Sequence, residues 1–183
     1  MVMILVRFDV MKSIIIVLIL VIGIFSACQD ITPGYLQTEF AGYTLDSMVV
    51  KKELDLTPPS PNPDYEMYIR WGYTPEYLVA NGIYPTIGGD EYKRDKYGWP
   101  WTSTPIEGVE GTQPIYVGIK EIKTDIGDVE LMKKYLKVSG NGTFTLPVYT
   151  DIPVGRYVIS LTFSNEGYTR DVDDCFTIIV KQR

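Results

Sequence analysis

Between residues 72 and 104 the chain is dense in aromatic side chains, among them Tyr84, Tyr92, Tyr97, Trp99 and Trp101. Flat rings of this kind stack on the C–H faces of sugars. Asp90, Glu91 and Arg94 lie between them in sequence and offer hydrogen bonds to hydroxyls. These five aromatics are therefore the candidate ligand-binding residues, with carbohydrate as the candidate ligand. The competing reading is packing, because aromatic rings bury a large area per residue. A second group, Asp171, Asp173 and Asp174, has the hard oxygen chemistry that calcium prefers, and Asp125 and Asp128 could add ligands from another loop. Its competing reading is a solvated acidic turn ahead of the last strand.

The composition excludes much else. There is no histidine among the 183 residues, which removes Ser-His and Cys-His catalysis and most zinc sites. A glycosidase needs two carboxylates facing a sugar; with 23 Asp and Glu residues in the chain, no pair stands out. We therefore expect no enzyme and no obligatory cofactor. The net charge of −6 argues against nucleic acid, whose binding rests on basic groups displacing counterions. Of the two cysteines, Cys175 sits beside Phe176 and Ile178 and reads as a part-buried, unreactive strand thiol.

The other cysteine closes a different pattern. Lys12 and Ser13 precede an uncharged apolar run over residues 14–25, followed by Ser26, Ala27 and Cys28. The run is short for a membrane span, which takes about 20 residues, and suits the core of a signal peptide. Small residues before a cysteine fit the cleavage box of a bacterial lipoprotein. On this reading residues 1–27 are a signal peptide, with residues 1–10 an extension ahead of a natural start at Met11. Cys28 then carries the lipid anchor, with acyl chains such as palmitate. An uncleaved anchor helix and a cleaved, unlipidated leader are the alternatives. Residues 28–40, with the turn pair Pro33 and Gly34, read as a lipidated tether or as a ragged first strand.

Residues 41–183 must then hold the site. Val49 and Val50 centre a strand, and four prolines between residues 58 and 63 break regular structure. Tyr65, Met67, Ile69 and Trp71 alternate with Glu66, Tyr68 and Arg70, which predicts a strand. Residues 72–104 read as a long aromatic loop or hairpin inserted between core strands, with one helical turn at residues 75–80. Ile115, Val117 and Ile119 alternate, as do Tyr157, Ile159, Leu161 and Phe163, and Phe176, Ile178 and Val180. Asn141 between two glycines makes a hairpin turn, and a short helical turn is expected within residues 125–135. Strands at this spacing with glycine-rich turns predict an all-β antiparallel sandwich.

Two stretches resemble a known family. Gly108, Gly111, Thr112 and Pro114 before Ile115 are similar to the lead-in to a strand of bacterial immunoglobulin-like and cadherin-like modules. Residues 152–161, Ile-Pro-Val-Gly-Arg-Tyr-Val-Ile-Ser-Leu, resemble another of their strands. Together with the lipoprotein box, the chain resembles the small Ig-like lipoproteins of Bacteroidetes. That resemblance implies an Ig-like β-sandwich in the cell envelope, at the outer membrane, anchored in the membrane by its lipid. It implies carbohydrate or an envelope protein as partner, since some such proteins accompany glycan transporters, and it transfers no binding residue.

Overall fold

The computed structural model describes residues 34–183. Along them run β1 (Leu36–Gln37), β2 (Ser47–Lys51), β3 (Ser60–Pro61), α1 (Pro63–Arg70), α2 (Pro75–Ala80) and β4 (Thr86–Ile87). Next come α3 (Asp90–Tyr97), β5 (Trp101–Thr102), β6 (Glu110–Gly111), β7 (Tyr116–Thr124) and α4 (Val129–Tyr135). The chain finishes with β8 (Lys137–Val138), β9 (Phe144–Leu146), β10 (Gly155–Asn165) and β11 (Tyr168–Lys181). Residues 1–33, including Cys28, the leader and the first part of the tether, lie outside the described residues.

The fold is β-rich and is built from several sheets. Its centre is the hairpin of β10 and β11, turned at Glu166 and Gly167. β7 and β2 flank it, giving a four-stranded sheet in the order β2-β11-β10-β7. Alternation does the expected work here: Tyr157, Ile159, Leu161, Phe163, Phe176, Ile178 and Val180 are all buried. Each such side chain contributes about 1.5–3 kcal/mol by leaving water. The sheet is not purely antiparallel, as expected from sequence; β2 runs parallel to β11, with Met48 opposite Ile178 and Val50 opposite Val180.

A three-stranded sheet, β5-β9-β8, supplies further rings to the same core. Phe144 of β9 meets Phe176 at 5.0 Å between centroids, and Tyr43 packs on Phe176 at 4.7 Å. Tyr43 also donates its hydroxyl to the Gly142 carbonyl at 2.6 Å. The expected turn over residues 140–142 and the short helix within residues 125–135 are both present; Asp128 caps α4 by accepting from Leu131 N at 3.0 Å.

Three expectations change. The alternating stretch at residues 65–71 is helix α1. Asn62 caps it, accepting from Asp64 N at 3.1 Å; Pro63 starts it, and Asp64 and Glu66 occupy the first turn. Local capping and the helix dipole outweigh a period of two. Residues 72–104 are not a loop but carry α2, α3 and two short strands. Residues 34–40, expected within the tether, belong to the folded body: β1 pairs with β6, and Leu36 is buried in the core. Among the described residues no helix is long and apolar enough to cross a membrane.

Candidate functional site: the aromatic insertion

Residues 55–102 form a helical insertion on the strand framework, and α3 is its best-fixed part. Glu91 and Asp95, one turn apart on α3, both point to partners on the framework. Glu91 Oε1 lies 2.5 Å from Lys51 Nζ on edge strand β2, and Glu91 Oε2 accepts from Asp55 N at 2.6 Å. Desolvation opposes ionisation of Glu91, but the bonds from Lys51 and the Asp55 backbone prevail and hold its pKa below the usual carboxylate range. Asp95 accepts from the Tyr149 hydroxyl, a bond that raises the phenol's pKa. Arg94 closes the C-terminal end: its Nη1 donates to the Trp99 and Pro100 carbonyls at 3.0 and 2.6 Å. Gly98, in the left-handed region at φ 62°, lets the chain reverse after α3.

This frame sorts the predicted aromatics. Tyr97 and Trp99 are stacked at 5.1 Å, 27° from parallel, and remain 57% and 52% exposed. Tyr84 is 56% exposed and stands at the other end of α3. Trp101 belongs to the packing: it pairs with Leu146 across β5 and β9, and Arg94 covers its ring at 4.0 Å. Its Nε1 is shielded from solvent and has no hydrogen-bond partner. Tyr92 is half-buried, with Lys96 Nζ 5.8 Å from its ring. The sequence set therefore divides into three exposed rings and two packed ones.

At Tyr84 the surface is concave. A depression of about 500 Å³ lies between Tyr84, Ile87, Asp90 and Lys93. A smaller one of about 270 Å³ adjoins it, sharing Ile87, Gly88 and Asp90 and reaching Asp55, Thr57 and Ser60. Asn62 positions this wall. It is buried, donates its Nδ2 to the Tyr84 carbonyl at 2.8 Å, and its backbone N–H bonds Pro85 O. Gly89 is fixed by contact as well as by its φ of 72°: a Cβ there would lie 2.5 Å from Pro59 Cδ.

Sequence reasoning missed a second aromatic group. Tyr68, Trp71, Tyr73 and Tyr77 cluster where α1 meets α2, with Tyr73 and Tyr77 stacked at 5.4 Å and Tyr68 edge-on to Trp71 and Tyr73. Trp71 is 66% exposed. The usable signal was the spacing of Tyr68 and Trp71 on a helix started by Asn62 and Pro63.

The calcium candidates are placed differently from an acidic turn or a cation cage. Asp171, Asp173 and Asp174 lie within β11, where three residues bulge opposite Ser160. Ser160 Oγ accepts from Asp174 N at 2.9 Å, and Asp174 takes φ 50°. Lysines of β7, reaching across β10, hold all three carboxylates: Lys120 Nζ is 2.8 Å from Asp171 and from Asp173, and Lys123 Nζ is 2.8 Å from Asp174. Asp128 is occupied as the α4 cap. Among the described residues no group of three or more acidic or cysteine ligands is arranged to hold a metal ion. Cys175 is half-buried and free, and burial raises its thiol pKa to about 11.

Comparison with protein-family models, with curated proteins and with solved structures gave no match for this chain.

Proposed function

We propose that this protein is a non-catalytic cell-envelope lipoprotein that binds glycan through the aromatic insertion, on an immunoglobulin-like module. One observation carries the reading: Tyr97 and Trp99 are stacked and solvent-facing at the C-terminal end of a helix held to the framework at Lys51 and Tyr149, with Arg94 fixing the turn through the Trp99 and Pro100 carbonyls. Exposed rings on a fixed support are what a sugar face needs, because little ordering remains to be done on binding.

Within the described residues, the insertion and the first strand lie toward different ends of the central hairpin. The described chain begins beside the turn of the central hairpin, where Asn165 Nδ2 donates to the Tyr35 carbonyl at 2.8 Å. The insertion is tied to Lys51, which is in register with Lys181 at the opposite end of β11. A strand of 14 residues separates these ends, about 40 Å at the usual rise. Replacing Cys28 with Ser is expected to abolish lipid labelling and membrane retention; retained labelling would overturn the anchor.

The binding test is an array of neutral polysaccharides probed with the detergent-solubilised protein. Trp99→Ala is expected to weaken the bound glycan about tenfold, the scale of one aromatic contact, with an unchanged melting temperature. Loss of fold without a separable binding defect would overturn the reading. The alternative is a structural or adhesion module that docks a protein, favoured by the exposed Trp71 cluster. In that case Trp71→Ala, not Trp99→Ala, removes the partner.

A further inference from the structure

The two faces of α3 have different jobs. With 3.6 residues per turn, Glu91 and Asp95 share one face and make the attachments to Lys51 and Tyr149. Asp90, Lys93 and Tyr97 fall at i, i+3 and i+7 and share another, offset by well over a quarter turn. Asp90 and Lys93 line the depression at Tyr84, and Tyr97 stacks with Trp99. The outward face of α3 thus joins the concave wall at Tyr84 to the ring pair at Trp99 in one strip. An eight-residue helix is about 12 Å long, which exceeds the width of a single sugar ring. The strip carries charge at two places: Lys93 Nζ stands 3.9 Å from Asp90, and Lys96 Nζ lies 5.5 Å from the centre of the Tyr97 ring.

We infer that the strip from Tyr84 through Asp90 and Lys93 to Tyr97 and Trp99 is one extended binding site for an oligosaccharide of at least three units. This rests on the glycan reading above and specifies it. Tyr84 and the ring pair hold two separate sugars of the same chain, while the Asp90 carboxylate accepts and the Lys93 ammonium donates hydrogen bonds to hydroxyls between them. Both ends of the strip are open, so an internal stretch of a long chain fits as well as a terminus.

The test uses an array that carries neutral glycans as size ladders, from mono- to hexasaccharide, probed with wild type, Tyr84→Ala, Trp99→Ala and Trp71→Ala. The expected result is binding that appears only from the trisaccharide upward, weakened about tenfold by Tyr84→Ala and by Trp99→Ala alike, and unchanged in Trp71→Ala. Equal binding of mono- and hexasaccharide, or a loss with Trp99→Ala but none with Tyr84→Ala, would overturn the extended site and leave the glycan reading standing. No bound glycan at any length would overturn both. Melting temperatures of the variants are read alongside. If Tyr84→Ala proves unfolded, Tyr84→Phe together with Lys93→Met reports on the same end of the strip, and unchanged binding in that pair overturns the inference.

Discussion

Lys51 on edge strand β2 and Glu91 on α3 meet at 2.5 Å and join the strand framework to the helix that carries the exposed rings. Both side chains are only partly exposed, and Glu91 has a second bond from the Asp55 backbone, so the pair is better placed than a loose surface bridge. Glu91→Gln is expected to cost about 1 kcal/mol in urea unfolding. The folded-state pKa of Glu91 is depressed, so its contribution is full above the ordinary carboxylate pKa and disappears as pH falls through the folded value. The cost of the substitution should therefore vanish in acid. An equal cost at neutral and acidic pH would show that Glu91 acts through packing instead.

Trp99 and Trp101 make opposite predictions although only Pro100 separates them. Trp99→Ala should change stability by no more than about 0.5 kcal/mol, as at other exposed positions. Trp101→Ala removes the ring under Arg94 and opposite Leu146, and should cost about 2 kcal/mol or more. Denaturant titration of the two variants distinguishes them; similar losses would mean that the ring pair is part of the packing.

Asn62→Ala tests whether one residue links helix α1 to the binding wall. It removes the cap from Asp64 and the bond to the Tyr84 carbonyl. The expected cost is about 1–2 kcal/mol, typical of a lost cap with an unmet partner. Glycan binding should fall with it because Tyr84 loses its support. Undiminished binding in a destabilised protein would show that the wall is positioned from elsewhere.

The strand framework was legible because hairpin turns and alternation agree there. Asn141 and Gly142, or Glu166 and Gly167, mark turns between runs whose alternate positions are apolar. The insertion was not, because two signals conflict in it. Tyr65, Met67, Ile69 and Trp71 alternate as a strand would, yet Asn62, Pro63 and the acids after them are a helix start. The local start decides, since α1 buries no residue and gains nothing from a sheet. The exposed and packed members of the aromatic set could not be separated from composition. What separates Trp99 from Trp101 is Arg94, whose guanidinium lies over one ring and whose hydrogen bonds position the other.

Cys175 should resist thiol reagents at pH 8. Its pKa is raised to about 11 by burial, against the small opposing effect of backbone hydrogen bonds. Protonated thiol is favoured by the fold, so its contribution is full below pH 9, the ordinary value, and is lost as pH rises toward about 11. Maleimide labelling of the folded protein should be slow at pH 8 and rapid in denaturant. Fast labelling of the folded chain would place the thiol nearer the surface.

Calcium should leave the melting temperature unchanged relative to chelator. Asp171, Asp173 and Asp174 are already paired with Lys120 and Lys123, so an incoming ion would have to displace two ammonium groups. A calcium-dependent rise in melting temperature would show that these lysines yield.

The parallel pairing of β2 with β11 sets an order of events. Residues 47–51 find their hydrogen-bonding neighbour only in residues 177–181, a separation that makes closure slow and late. The four-stranded sheet therefore stays incomplete during synthesis until β11 has been made. A chain that keeps its edge strand waiting in this way remains threadable while it is being produced and locks only when β11 arrives. For the envelope lipoprotein proposed above, which would cross a membrane before folding, that delay is an asset.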